Sequence, residues 1–322
     1  MNAPKELHVI FGTGPVGITL AEELVRRNKQ VRLVNRSGKG TVPTGAELVS
    51  GNASSLETVQ NLSQGAAVIY NCTNAPYERR PEILPRLQEN MIEGAASVSA
   101  RLVVIDTLYM YGETHGKPIT EETPYMATSR KGRLHAELAW GYLQANRVGK
   151  VQVAIGRAAD FFGPNVLNSS LGQYVFPAAL TGQPILTLGN PDLPHSYSYM
   201  PDIARGLATL GEHPEAFGHD WLLPIAPTIT SREVYQVIGK EIGQVPEIFT
   251  VASMDQAKAM KIFDETFANE YVELFYQYTE PQIVDSSAFT RTFGQSATPL
   301  DEAIRATIEW YRHLPTSPNS AS

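Results

Sequence analysis

Cysteine is almost absent from this chain. Cys72 is the only one in 322 residues, so neither an intramolecular disulfide nor a zinc site built on paired cysteines can form. A single thiol fits a reducing compartment, and a cytoplasmic location is the expectation. No apolar run approaches the ~18 residues of a membrane span, and the charged start lacks a cleavage-type segment. Neither a signal peptide nor a membrane association is expected. Positive charge is in deficit: 26 Lys and Arg against 33 Asp and Glu leave a net charge of −7. That balance, without a basic face interleaved with aromatics, argues against nucleic acid or anionic membrane as a partner. The histidines show no metal-ligand spacing, and HExxH and GxSxG are both missing, so no metal is expected. Repeats and low-complexity blocks are also lacking. What is abundant is apolar matter, 43% of residues against 18% charged. A sizeable core is therefore available, and global disorder is excluded.

The first half alternates between two periods. Short apolar runs at 7–11, 30–34, 46–50, 66–70, 102–106 and 151–155 read as strands. Segments near 16–27, 81–96 and 129–146 carry apolar residues at helical spacing. Strands separated by helices predict a parallel sheet covered on both faces. The fold class is α/β, a Rossmann-type doubly wound parallel sheet, with a smaller, mostly helical C-terminal cap. The expected division is 1–163 for the sheet domain and 164–322 for the cap, with strands near 197–225 returning to the sheet. Cap helices are expected at 202–211, 231–243, 253–278 and 299–312, and a frayed polar tail at 316–322.

Gly12-Thr13-Gly14-Pro15-Val16-Gly17 follows the first strand and opens the first helix. One glycine makes the tight turn, the next lets a pyrophosphate approach the backbone, and the third lets helix and strand pack closely. Phosphate would then sit on the free N–H groups of the helix. Asn35-Arg36-Ser37 ends the second strand, where NAD enzymes usually hold the ribose with a carboxylate. Arg36 and Ser37 suit a 2′-phosphate instead, so NADP(H) is favoured over NAD(H). Cys72 reads as a small hydrophobe rather than a nucleophile.

Several segments together resemble the short-chain dehydrogenase/reductase superfamily in its extended, epimerase/dehydratase-like form. They are Thr107-Leu-Tyr-Met-Tyr111-Gly112, Ile119-Thr-Glu-Glu-Thr-Pro124, Gly156-Arg157 to Pro164, Tyr199-Met-Pro-Asp202-Ile-Ala204 and the closing helix from Pro299. The resemblance implies a dinucleotide along the carboxyl ends of the strands and a substrate between that edge and the cap. It places Asn52 near the adenine, and Asn71, Thr73 and Asn74 along the ribose and nicotinamide. It also makes a homodimer the expected assembly.

One part of the family pattern is missing. Members pair a Ser/Thr with a Tyr-x-x-x-Lys on the next helix, where four-residue spacing puts both groups on one face. Thr107 matches the hydroxyl, but the helix from Ser129 offers no tyrosine in register. Lys131 and His135 stand four apart there and are the replacement candidates, with Tyr111 as a further one. The arginine by which sugar-nucleotide members meet the diphosphate is replaced by His195. Tyr77, Tyr109, Phe161, Tyr174, Phe176 and Tyr197 are the other expected substrate contacts, suited to a small, partly apolar compound. The expected function is an NADP(H)-dependent oxidoreductase of epimerase/dehydratase type acting on a small carbonyl or hydroxyl compound. The alternatives are a catalytically silent NADP(H) sensor or scaffold, and a sugar-nucleotide epimerase with displaced catalytic groups.

Overall fold

The computed structural model describes residues 5–314; the expected tail at 316–322 lies outside them. Six strands, β1 (Leu7–Phe11), β2 (Gln30–Asn35), β3 (Ala46–Ser50), β4 (Ala66–Asn71), β5 (Arg101–Asp106) and β6 (Val153–Arg157), are joined by a seventh, Asp220–Leu222. Their order is Asp220–Leu222, β6, β5, β4, β1, β2, β3, and all pairs are parallel. The chain therefore winds outward in both directions from β1 and β4. This is a Rossmann-like doubly wound sheet, and ligands bind such sheets outside the carboxyl ends at that reversal. Register brings the ends together: Phe11 lies beside Val34 and Asn71, and Asp106 beside Arg157.

Burial on both faces explains the nearly unbroken apolar strands. One face packs against α1 (Pro15–Arg26) and the helix Met200–Glu212, through Leu20, Leu24, Leu207 and Leu210. Each such leucine contributes roughly 1.5–3 kcal/mol on burial. The other face packs against α2 (Leu56–Leu62), α3 (Arg80–Ser97) and α4 (Arg130–Arg147), through Val59, Met91, Ala139 and Tyr142. One polar pair crosses this core. His8 on β1 is fully buried, stacks on Tyr70 of β4 and places Nδ1 3.1 Å from its hydroxyl.

The C-terminal region is mostly helical, with a core of its own around Phe176, Ile185, Tyr235, Ile304 and Tyr311. It differs from expectation in one long element. The helix expected over 253–278 is three pieces: Met254–Ala259, Glu265–Tyr271 and a 3₁₀ stretch Val272–Tyr278. Lys261 has a left-handed φ of 55° and the Asp264 side chain caps the second piece, so the chain stops and restarts. Two short strands, Ile185–Leu188 and Ile248–Val251, also pair in the cap. No helix among the described residues is long and apolar enough to cross a membrane.

Candidate active site

The three glycines of the first turn have separate physical jobs. Gly12 has φ +111°, and a Cβ there would fall 2.3 Å from the Cys72 carbonyl oxygen. A Cβ on Gly17 would fall 2.0 Å from the Gly12 carbonyl oxygen. Both positions are closed to any side chain by backbone packing. Gly14 is different: nothing lies within 4 Å of where its Cβ would project. It is the N-cap of α1, has no side-chain cap, and is followed by Pro15. The space in front of it and the helix end behind it fit a pyrophosphate. Gly14, Pro15 and Val16 open onto a cleft of about 630 Å³.

At the end of β2, Asn35 is a strut. Its Nδ2 donates to Thr13 Oγ1 at 3.1 Å and to the Lys39 carbonyl at 2.9 Å. Its Oδ1 accepts from the Ser37 and Gly38 N–H groups at 3.1 and 2.7 Å. The amide thus ties the glycine turn to the next loop and leaves Arg36 and Ser37 exposed beside it. Arg36 makes no ion pair among the described residues. Asn52 is exposed and holds a local turn, accepting from the Ser54 N–H at 3.0 Å.

Beyond Gly14 the cleft runs along the ends of β4 and β5. Asn71, Thr73 and Asn74 line it, together with Tyr77, Thr107, Tyr109, His135 and Phe161. Asn71 donates to the Tyr142 hydroxyl at 2.9 Å and accepts from the Thr73 hydroxyl at 2.6 Å. Burial pushes the Cys72 thiol up to about 12, which removes thiolate chemistry at neutral pH. His135, Leu138 and Tyr142 stand at helical spacing on α4 and present one face to the cleft.

The centre of the site is a carboxylate–imidazole pair. Asp106 ends β5, and its Oδ1 lies 2.7 Å from His135 Nδ1 and accepts the Thr107 N–H at 2.8 Å. Both side chains are about nine-tenths buried. An ionised carboxylate only accepts, so the imidazole proton sits on Nδ1. The neutral ring then keeps a lone pair on Nε2, which is buried and has no hydrogen-bond partner among the described residues. Behind Asp106 lies Arg157, fully buried, with Nε 3.9 Å from the second Asp106 oxygen. Arg157 also pairs with Asp220 at 2.6 Å and donates to the Tyr111 hydroxyl at 2.5 Å. Thr107 Oγ1 only loosely accepts the Tyr109 N–H, at 3.5 Å, so its own proton is free to meet a ligand.

The far wall is built around Asp160, which follows β6. Its Oδ2 accepts from Ser170 at 2.6 Å and Tyr278 at 3.0 Å, and lies 3.2 Å from His195 Nε2. Burial would raise this carboxyl, but the hydrogen bonds from His195, Ser170 and Tyr278 hold it below its ordinary value. Tyr77 and Tyr109 meet at their hydroxyls, 3.2 Å apart.

Six of the residues expected to serve catalysis or touch substrate do not line the cleft. Lys131 is buried under the cap, with Nζ 2.5 Å from Glu270 and 2.7 Å from Glu273. Tyr111 is sealed behind β5 on Arg157. Phe176 stacks on Tyr311 in the cap core, and Tyr197 is buried with its hydroxyl on Ser231 at 2.6 Å. Tyr174 packs edge-on against Phe263. His195 reaches the cleft only through Asp160. Their burial in the cap gives Lys131 a structural role: Lys131→Met should cost about 1–3 kcal/mol of stability, the usual value of charged hydrogen bonds. Thermal unfolding beside turnover checks this, since a kcat loss without a stability loss would return Lys131 to the chemistry.

Asp106, Asp160, Arg80 and Tyr142 were not singled out by the sequence as site residues. The one signal for Asp160 is a carboxylate inside the apolar stretch 153–162.

Solved structures with this fold include UDP-N-acetylglucosamine 4-epimerase from Bacillus cereus, 15% identical, with TM-score 0.77 over 98% of this chain and 99% of that one. UDP-glucuronic acid 4-epimerase from Bacillus cereus, in complex with NAD, is 13% identical, with TM-score 0.74 over 95% and 98%. A nucleoside-diphosphate-sugar epimerase from Pseudomonas aeruginosa is 16% identical, with TM-score 0.74 over 95% and 97%. At such identities the likeness is one of fold. No curated protein matches by sequence. A family model does match, across residues 9–223, which span the glycine turn, Thr107, His135 and Asp160. On that match, the chain belongs to the NAD dependent epimerase/dehydratase family.

Proposed function

We propose that this protein is a nicotinamide-dependent oxidoreductase of epimerase/dehydratase type, in which His135, held by Asp106, does the proton transfer its relatives assign to a tyrosine. The observation carrying this reading is the 2.7 Å Asp106–His135 contact beside a cleft-lining Thr107, with Nε2 left unpartnered. Gly14, Val16, Asn71 and Thr73 would hold the dinucleotide, whose bound nicotinamide supplies or accepts hydride. His135 Nε2 takes the proton of a substrate hydroxyl as base, or returns it as acid. Asp106 fixes the tautomer and balances the imidazolium, with the Arg157 guanidinium behind it. Thr107 donates to the same substrate oxygen.

The test is a screen of small hydroxyl and carbonyl compounds with both nicotinamide cofactors, followed by Thr107→Ala. One hydrogen bond tightened in the transition state is worth a few kcal/mol, so kcat should fall by roughly 10²-fold. Unchanged turnover would reduce Thr107 to a turn residue. No turnover across the screen, with cofactor still bound, would favour a sensing role.

We further propose a preference for NADP(H), supported by Asn35 in place of a carboxylate and by the exposed, unpaired Arg36. Arg36→Ala should weaken NADPH by about tenfold or more and NADH hardly at all, since only NADPH offers a 2′-phosphate. Equal losses in a fluorescence titration of both cofactors would overturn it.

A further inference from the structure

Arg80 is the cation of the cleft that this chemistry leaves unused. It begins α3, is 4% exposed and lines the cleft. Among the described residues its side chain makes one hydrogen bond, from Nε to the Ala75 carbonyl at 3.3 Å. Nη1 is buried without a partner, and no carboxylate pairs with this guanidinium among the described residues. The Tyr77 ring lies 3.8 Å from its central carbon and the Tyr109 ring 6.0 Å. Cation–π contact offsets only part of what it costs to take a guanidinium out of water. A buried cation without an anion, in the wall of a ligand cleft, is completed by an anion on the ligand. Elsewhere on the wall, Asp160 spends all three of its contacts on Oδ2. Oδ1 has no partner among the described residues and can accept from a ligand hydroxyl.

We infer that Arg80 receives a carboxylate of the substrate, so that the compound processed at His135 is a small hydroxy or keto acid. This rests on the functional reading above. The charge of the walls separates it from a nucleotide diphosphate. Among the described residues the cleft offers one unpaired cation, together with the carboxylates of Asp106 and Asp160. A doubly charged diphosphate would meet too little positive charge; a single carboxylate meets its match. The same guanidinium could take a phosphate monoester, and the test keeps that source apart.

The experiment loads the full chain with NADP⁺ and titrates lactate, malate and gluconate, each beside an uncharged counterpart (propane-1,2-diol, butane-1,2,4-triol, sorbitol). Glycerol 3-phosphate and UDP-glucose form the phosphate arms. Binding is read by thermal shift and calorimetry, turnover by nicotinamide absorbance. At least one acid should bind and its uncharged counterpart should not. Arg80→Gln should weaken that acid by about tenfold or more, the usual worth of a charge-assisted contact, and leave NADP⁺ affinity unchanged. Arg80→Lys should restore part of it. The apo Arg80→Gln variant should melt no lower than wild type, because the unpaired buried cation is gone. No acid bound, equal binding of acid and counterpart, tighter binding of either phosphate compound, or a parallel loss of NADP⁺ affinity would each overturn the inference. An acid bound through Arg80 without turnover would leave Arg80 assigned and remove the redox reading. Turnover of an uncharged compound alone would do the reverse.

Discussion

His135→Ala is expected to lower kcat by about 10²–10⁴-fold, the range over which a positioned acid–base group acts. His135→Asn is the sharper variant. An asparagine amide can still donate to Asp106 across part of the Nδ1 position, but it offers no basic nitrogen where Nε2 stands. A loss as deep in Asn as in Ala therefore assigns the effect to Nε2 rather than to packing. Asp106→Asn should fall to a similar depth. An amide donates as well as accepts, so it no longer dictates which ring nitrogen holds the proton. The measurement is kcat across pH for wild type and the three variants, with circular dichroism confirming the fold. Wild-type kcat in His135→Asn would move the proton transfer to another group.

Gly14→Val should abolish dinucleotide binding and leave the melting temperature close to that of wild type. The added Cβ meets nothing within 4 Å, so the fold has no reason to yield. The branched side chain instead fills the space that pyrophosphate needs in front of α1. The neighbouring glycines predict the opposite result. Gly17→Ala puts a carbon 2.0 Å from a carbonyl oxygen, and Gly12→Ala adds a positive φ to a similar clash. Both should lose stability before binding is even tested, by about 1–3 kcal/mol or more, as overpacking does. Calorimetric titration with NADP⁺ beside thermal unfolding separates the two patterns. Retained binding in Gly14→Val would remove the phosphate from this turn.

The strands were legible because sheets buried on both faces demand continuous apolar runs, and those runs are short and punctuated. The glycine turn was legible because its residues, its strand and its helix are contiguous. The 253–278 segment reads as one helix because helical periodicity survives a break: Lys261 and Asp264 interrupt the backbone while the apolar spacing continues on either side. Within the candidate site, His135 was visible as a histidine on the right helix, but its meaning depends on Asp106, 29 residues away and brought to it by the β5–α4 connection. Asp160 offers only a carboxylate inside a largely apolar stretch, and Arg80 has no local signature, since what singles it out is a partner it does not have. The aromatics of the cap were ambiguous by nature. Phe176 and Tyr197 fill a core, whereas Tyr77 and Tyr109 line the cleft, and composition does not separate the two roles.

The His8–Tyr70 pair sets a floor under any acid-side experiment. Burial pushes His8 down to about 4 from an ordinary value near 6.5. The unfolded chain therefore takes up this proton first as pH falls. The contribution of His8 is fully present above about pH 6.5 and drains away toward its folded value, on the order of 3 kcal/mol in all. A rate that declines below neutrality would thus include loss of folded enzyme. His8→Gln, which has no proton to gain, should flatten the unfolding component and leave the catalytic limb standing alone.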